Sequence, residues 1–184
     1  QAALDAGAEV TLISATSALP VPIGATLAPV TSAQDMLAAV EAHLTGADVL
    51  IMAAAVADFR PAVAAERKIK KSADENQKLT IELVRTPDIL LTVKRLRQET
   101  GWPRLAIGFA AESEDLETNA RAKLEAKGLD LIVLNDVTQE GAGFGTDTNK
   151  ITFIGDNLIQ DFPLKSKVGV AGDIVAKIIK LLHA

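Results

Sequence analysis

The sequence predicts an α/β fold of the doubly wound, mostly parallel kind. Three observations carry this. Apolar runs of strand length alternate with amphipathic helical stretches along most of the chain. The composition is 48% hydrophobic and rich in Ala, Leu, Ile and Val but only 3% aromatic, as expected where helices cover both faces of a parallel sheet. Helix starts and stops are marked at short intervals by Ser, Thr, Asp, Pro and Gly. A chain of 184 residues suffices for one sizeable core, and no Pro/Ser linker or repeat divides it, so 1–184 reads as a single domain.

QAALDAG (1–7) reads as the last turns of a helix ended by Gly7, and AEVTLIS (8–14) as the strand after it. A doubly wound fold places a strand and a phosphate-facing turn before such a helix, so an N-terminal strand and phosphate loop are expected to be missing from this sequence. SALPVPIGATLAPV (17–30) is a Pro- and Gly-punctuated loop with room for a short strand near Thr26 to Val30. Thr31 or Ser32 can cap the next helix, with Gln34 or Asp35 as the capping-box partner, MLAAVEAHL as its apolar stripe and Gly46 as its stop. ADVLIMAAAVAD (47–58) is a buried strand whose carboxyl end is Ala54 to Asp58.

KLTIELV (78–84) alternates apolar and polar residues and is expected as a half-exposed antiparallel strand attached to the parallel sheet. Thr86, Pro87 and Asp88 start the helix ILLTVKRLRQET, with Pro at the first helical position. RLAIGFAAE is a core strand, SEDLETNARAKLEAKG a capped helix, and LDLIVLNDV a strand ending in Asn135 and Asp136. A glycine-rich loop, TQEGAGFGTDTN, precedes a small hairpin made of KITFIGDN and NLIQDFPL, and GVAGDIVAKIIKLL closes the chain as an amphipathic helix. The strands at 78–84 and 150–162 are expected as an antiparallel excursion from a Rossmann-like sheet.

Charge and composition narrow the chemistry. A net charge of -5 argues against a general nucleic-acid binder, which needs a concentrated basic surface. The absence of cysteine removes disulfides, thiolate nucleophiles and Cys-ligated metals from this chain. No apolar run approaches the roughly 18 residues of a membrane span, and no signal peptide opens the sequence, so a cytoplasmic protein is expected.

Ligands of open parallel sheets sit outside the carboxyl ends of the strands. Three such ends carry small residues beside hydrogen-bonding ones: Ala54-Ala55-Val56-Ala57-Asp58, Gly108-Phe109-Ala110-Ala111-Glu112, and Asn135-Asp136. Each alone could be tight packing and helix capping; three together point to a site. The helix start Thr86-Pro87-Asp88-Ile89 offers backbone amides suited to phosphate. Lys123 and Lys127 share a helix face, where they could equally complement the helix dipole, and KIKK (68–71) could be a solvated charge run.

These segments together carry a resemblance. AAAVADF followed by KIKK ten residues after the Asp, then L-T-I-x-L-V-x-T-P-D-I-L, I-G-F-A-A-E and L-I-V-L-N-D-V, resembles the phosphopantothenoylcysteine synthetases, the second activity of a bacterial bifunctional coenzyme A biosynthesis protein. The match runs in order over nearly the whole chain. It implies an enzyme, a phosphopantothenate–cysteine ligase that condenses 4′-phosphopantothenate with cysteine at the expense of CTP, through an acyl-cytidylate. By that resemblance Lys68 is a catalytic lysine on a flap over the nucleotide. Ala54, Ala55 and Asp58 line the nucleotide and phosphopantothenate site, while Pro87, Asp88, Ile89, Leu90, Phe109, Lys123 and Lys127 bind nucleotide. Mg2+ accompanies the triphosphate, with no protein ligand assigned. The resemblance also implies a homodimer formed through the antiparallel extension, and a flavin-dependent decarboxylase domain fused upstream. Its phosphate loop and an acyl-cytidylate-stabilising asparagine lie before Gln1, so the first half-reaction is expected to be impaired in this chain alone.

Two other readings share the element order. A Rossmann-type NAD(P)-dependent oxidoreductase is disfavoured because the chain has no tyrosine for a Tyr-x-x-x-Lys site and Ser14, not an acid, ends AEVTLIS. A non-catalytic nucleotide-binding scaffold is disfavoured because KIKK, Lys123 and Lys127 are all in place.

Overall fold

The computed structural model describes residues 1–15, 19–63, 65, 67–69, 78–112, 115–136, 141–142 and 145–183. The amino-terminal elements follow local sequence signals. Helix α1 (Ala2–Asp5) ends at Gly7, whose φ of +86° is the left-handed region that glycine enters without penalty. Strand β1 (Thr11–Ala15) starts three residues later than expected and pairs in parallel with β2 (Thr26–Val30). Helix α2 (Ala33–Leu44) opens with the anticipated capping box: Ser32 Oγ accepts from the Asp35 amide at 3.1 Å, and Asp35 Oδ2 accepts from the Ser32 amide at 3.0 Å. The Thr31 hydroxyl and then Ser32 hold the Asp35 carboxyl below its ordinary range.

The main sheet has five strands in the order β10-β9-β7-β6-β3. Its parallel half is β3 (Val49–Met52), β6 (Leu105–Glu112) and β7 (Leu131–Asp136). Strands β9 (Ile151–Gly155) and β10 (Leu158–Asp161) form the expected hairpin, but β9 pairs antiparallel with β7. The hairpin is therefore the continuation of the main sheet rather than an excursion. The reason lies in its apolar run, since Ile151, Phe153 and Ile154 are all buried, at 1%, 1% and 0% exposure, and need both faces covered.

Helices take opposite faces. On one face α5 (Lys167–Leu182) buries Val170, Ile174 and Ile178 against Ile107, Leu131, Val133 and Phe153. On the other, α4 (Leu116–Lys127) sets Ala120 against Ala106, Ala110, Ile132 and Leu134, and α3 (Ile89–Thr100) stands between α2 and α4. Each fully buried Ile or Phe contributes on the order of 2 to 3 kcal/mol of transfer free energy. A polar clamp closes the sheet's amino edge: Arg97 donates to the carbonyls of Arg104 and Gly128 and pairs with Asp130 at 2.9 Å, and Asp130 in turn accepts from the Ala106 amide at 2.7 Å.

Other elements depart from expectation. Strand β3 stops at Met52, and Ala53 to Asp58 continue as irregular backbone, because alanines offer a strand little to pack. The stretch 78–84 is not one strand of the main sheet. Only β5 (Leu83–Arg85) is regular, and it pairs antiparallel with β4 (Phe59–Pro61) in a separate ribbon. A second small pair joins β8 (Thr148–Asn149) to β11 (Lys165–Ser166). Among the described residues no ladder joins β1–β2 to β3, although Ile13, Val30, Leu50 and Met52 share one apolar cluster with Met36, Val40 and Val93.

Candidate functional site

The carboxyl ends of β3, β6 and β7 lie along one edge of the sheet, and two connections organise the residues there. Thr86 stitches the start of α3 to the chain leaving β3: its amide donates to Asp58 O at 2.9 Å and its hydroxyl to Ala57 O at 2.5 Å. Asp58 and the segment Pro87 to Leu90 are thereby brought together. Sequence reasoning used Thr86 only as a helix-start signal; the hydroxyl before a Pro-Asp cap was the clue to its second role.

Asp88, not Pro87, sets the helix boundary. Asp88 is the N-cap, with Oδ1 accepting from the Leu91 amide at 3.1 Å, so Pro87 precedes the cap instead of occupying the first helical position. The helix start was expected to present amides to phosphate; of these amides, the Asp88 carboxylate takes that of Leu91. Its Oδ2 also pairs with Lys127 Nζ from α4. Partial burial raises the Asp88 pKa, but the hydrogen bonds from Lys127 and Leu91 outweigh it and the net shift is downward from 3.8. A carboxylate in this place accepts hydroxyl donors, such as those of a ribose, more readily than it tolerates a phosphate.

Lys123, one turn earlier on α4 and half-buried, reaches across the strand end and donates to Phe109 O at 2.7 Å. The Phe109 side chain packs, partly buried, against the α5-side core. In the first turn of α3, Ile89 is buried and Leu90 half-buried. Ala54 and Ala55 are exposed in the irregular stretch after β3, and Asp58 is exposed beside the Thr86 stitch. Lys94 secures the far end of α4, donating to Glu125 O and Ala126 O at 3.2 and 3.0 Å.

The structure thus joins Asp58 to the α3 start, Asp88 to Lys127 and Lys123 to Phe109. Lys68 is exposed after β4, and no described hydrogen bond or ion pair links it to those groups; Lys70 and Lys71 lie outside the described residues. The expected side-chain cap of α4 is absent: Asp115 holds its N-cap at φ 45° without a side-chain bond, and Ser113 lies outside the described residues. A cleft lined by Leu129, Asp130, Asp156, Asn157 and Lys177 lies at the opposite, amino edge of the sheet and contains none of the candidate residues. Among the described residues no group of three His, Asp or Glu side chains could cage a metal ion, and no helix is long and apolar enough to cross a membrane.

Residues 1–182 match the family described as DNA/pantothenate metabolism flavoprotein C-terminal domain. The chain belongs to this family. As a member of this C-terminal-domain family it is 42% identical over 182 residues to the Coenzyme A biosynthesis bifunctional protein CoaBC of Vibrio vulnificus, covering 99% of this chain and 44% of that relative. It therefore spans less than half the relative's length. The crystal structure of the C-terminal domain of a CoaBC superposes with a TM-score of 0.79 at 40% identity, over 98% of this chain and 80% of the other. A Cab2 mutant in complex with phosphopantothenate-cysteine shares the fold, with a TM-score of 0.60 at 17% identity over 85% of this chain and 52% of that one.

Proposed function

We propose that this chain carries phosphopantothenate–cysteine ligase chemistry, with CTP as the activating nucleotide. Family membership supports the reading, and the observation that carries it is the convergence, at the ligand edge of the sheet, of the Thr86-stitched α3 start with Lys123 and Lys127 of α4. Pyridine-nucleotide oxidoreduction has no comparable support.

The reaction proceeds in two displacements. A carboxylate oxygen of 4′-phosphopantothenate attacks the α-phosphorus of CTP, the bond to the bridging oxygen breaks, and pyrophosphate leaves with the electron pair. The cysteine amine then attacks the acyl carbon; the C–N bond forms as the acyl C–O bond breaks, CMP leaves, and the amine gives up a proton. Activation is needed because a free carboxylate lacks a leaving group. Lys68 would offset charge on the departing phosphates, since an ammonium aimed where charge develops lowers the barrier. Asp88 would take ribose hydroxyls while holding Lys127, and Lys123 would keep the Phe109 strand end in place for the base. Ala54, Ala55 and Asp58 would form the floor beneath the phosphates and substrate. The described residues do not form a protein cage for Mg2+, so the ion is read as travelling with the triphosphate and no step is routed through it.

The homodimer is proposed on a separate observation. Leu79, Ile81 and Leu83 alternate along one side of the ribbon strand and its approach, at 62%, 55% and 55% exposure, beside Phe59 at 51% and Val63 at 83%. Such an apolar comb is the sort of surface a partner covers. A second copy of the same chain, meeting it through a two-fold axis, is the proposed occupant.

The experiment is pyrophosphate release from the purified chain mixed with 4′-phosphopantothenate and either CTP or ATP, with and without cysteine, beside a version extended upstream. CTP-dependent release from the extended protein is the expected result. No release from either protein would refute the ligase assignment.

A further inference from the structure

The cleft at the amino edge of the sheet has a volume of about 520 Å3 and lies between the carboxyl half of α5 and the β9–β10 turn. Small-molecule sites run from roughly 300 to 1,000 Å3, so this one is large enough for a ligand. Leu105 opens β6 and Leu131 opens β7, which puts the cleft at the opposite ends of the strands that carry the candidate site. Over the eight residues of β6, at roughly 3.3 Å each, the two edges are on the order of 25 Å apart. A small molecule held at the amino edge is outside the reaction described above.

The lining is amphipathic. Leu105, Leu129 and Leu131 are buried, and Leu158 and Leu181 are half-buried. These leucines offer an aliphatic body a surface away from water. Three charged side chains join them, in different states. Asp130 is paired with Arg97 at 2.9 Å and accepts from the Ala106 amide. Asp156 is exposed on the turn and accepts from Asn157 Nδ2 at 3.3 Å. Lys177 is half-buried, one helical turn before Leu181, and has no hydrogen bond or ion pair with any described residue. An ammonium in that position has given up part of its hydration without a counter-charge, so it gains from an anion brought to it. The charge count limits the anion. With Asp130 answered by Arg97, one ammonium stands against one exposed carboxylate, which favours a monoanion over a phosphate dianion and puts its charged end beside α5, not at the turn.

We propose that this cleft binds a small amphipathic monocarboxylate, whose aliphatic body lies on the leucines and whose carboxylate accepts from Lys177 Nζ. The site is independent of the ligase reading and stands or falls without it.

The test is titration of the full chain, labelled with nitrogen-15, by decanoate below its micellar concentration, with decanol and decyltrimethylammonium as neutral and cationic controls. Decanoate is expected to give saturable amide shifts at Gly155, Asn157 and Leu158, with Asp88 and Lys123 unmoved, and to bind about tenfold more tightly than decanol. Lys177→Met keeps the apolar stem and removes the charge. It should weaken decanoate roughly tenfold, the factor for one charge-assisted hydrogen bond at a half-exposed site, and change decanol by less than about twofold. Leu181→Trp fills the cleft from the last turn of α5 and should abolish binding of both. Equal melting temperatures for the wild type and Lys177→Met would show that the loss is not one of folding. Absence of saturable shifts in the wild type overturns the proposal, as do shifts centred on Leu79 to Leu83 instead of the cleft. Equal affinity for decanoate and decanol, or unchanged decanoate affinity in Lys177→Met, overturns it by removing the role of the ammonium. Tighter binding of decyltrimethylammonium than of decanoate also overturns it, because Asp156 would then govern the cleft.

Discussion

Asp88 couples two roles in one side chain, closing the amino end of α3 and holding Lys127. Asp88→Ala should cost about 1 kcal/mol through the lost cap, read by chemical denaturation, and should weaken nucleotide binding by releasing Lys127. Asp88→Asn separates the roles, since asparagine caps as well but forms no ion pair. Because the folded-state carboxyl lies below 3.8, the ionised form stabilises the fold above that value and the contribution is lost as pH falls through the depressed value. The stability difference between wild type and Asp88→Asn should accordingly be flat from about pH 5 to pH 8 and shrink below about pH 4. Lys68 belongs to a different class, being exposed and without a described hydrogen bond or ion pair to the paired lysines. Lys68→Ala in a protein that includes the upstream segment should slow turnover by about a hundredfold while leaving CTP affinity nearly unchanged. Equal loss of both would reduce Lys68 to a nucleotide-holding residue.

The ribbon of β4 and β5 is the element whose sequence and surroundings agree least. Its apolar comb faces solvent, and Ile81→Lys should convert a dimer to a monomer by light scattering without lowering the melting temperature of the monomeric fold. A mass equal to one chain for the unmutated protein would remove the dimer proposal. Local chemistry elsewhere was legible in the sequence: the Ser32–Asp35 capping box, the β2 limits at Thr26 and Val30 and the Gly128 helix stop all depend on residues within a few positions of one another. What was hidden depends on distant partners. The fusion of the 151–161 hairpin into the sheet follows from β7, and the capture of Lys127 by Asp88 joins residues on two helices. For the candidate site, residue types at strand ends pointed to the carboxyl edge of the sheet, but composition could not reveal that Asp88 takes the Leu91 amide at the start of α3.

At the scale of the whole molecule, the sheet is built in two parts. The strands β6, β7 and β9 form a continuous ladder with helices on both faces, whereas among the described residues no ladder joins β1–β2 to it and their apolar side chains pack with α2 and α3. Apolar contact tolerates small sliding motions that a ladder of directed hydrogen bonds does not. The consequence is a difference in cooperativity. Amides of β1, β2 and α2 should exchange with deuterium through a partial opening of lower free energy, while those of Ile107, Ile132 and Phe153 should exchange only when the entire chain unfolds. Equal protection across both groups would mean that the apolar cluster under α2 alone welds the two parts into one unfolding unit. If the protection differs, a ligand spanning from the chain after β3 to the end of β7 would slow exchange at the ligated edge, leaving β1 and β2 to report separately on whatever pairs with their open side.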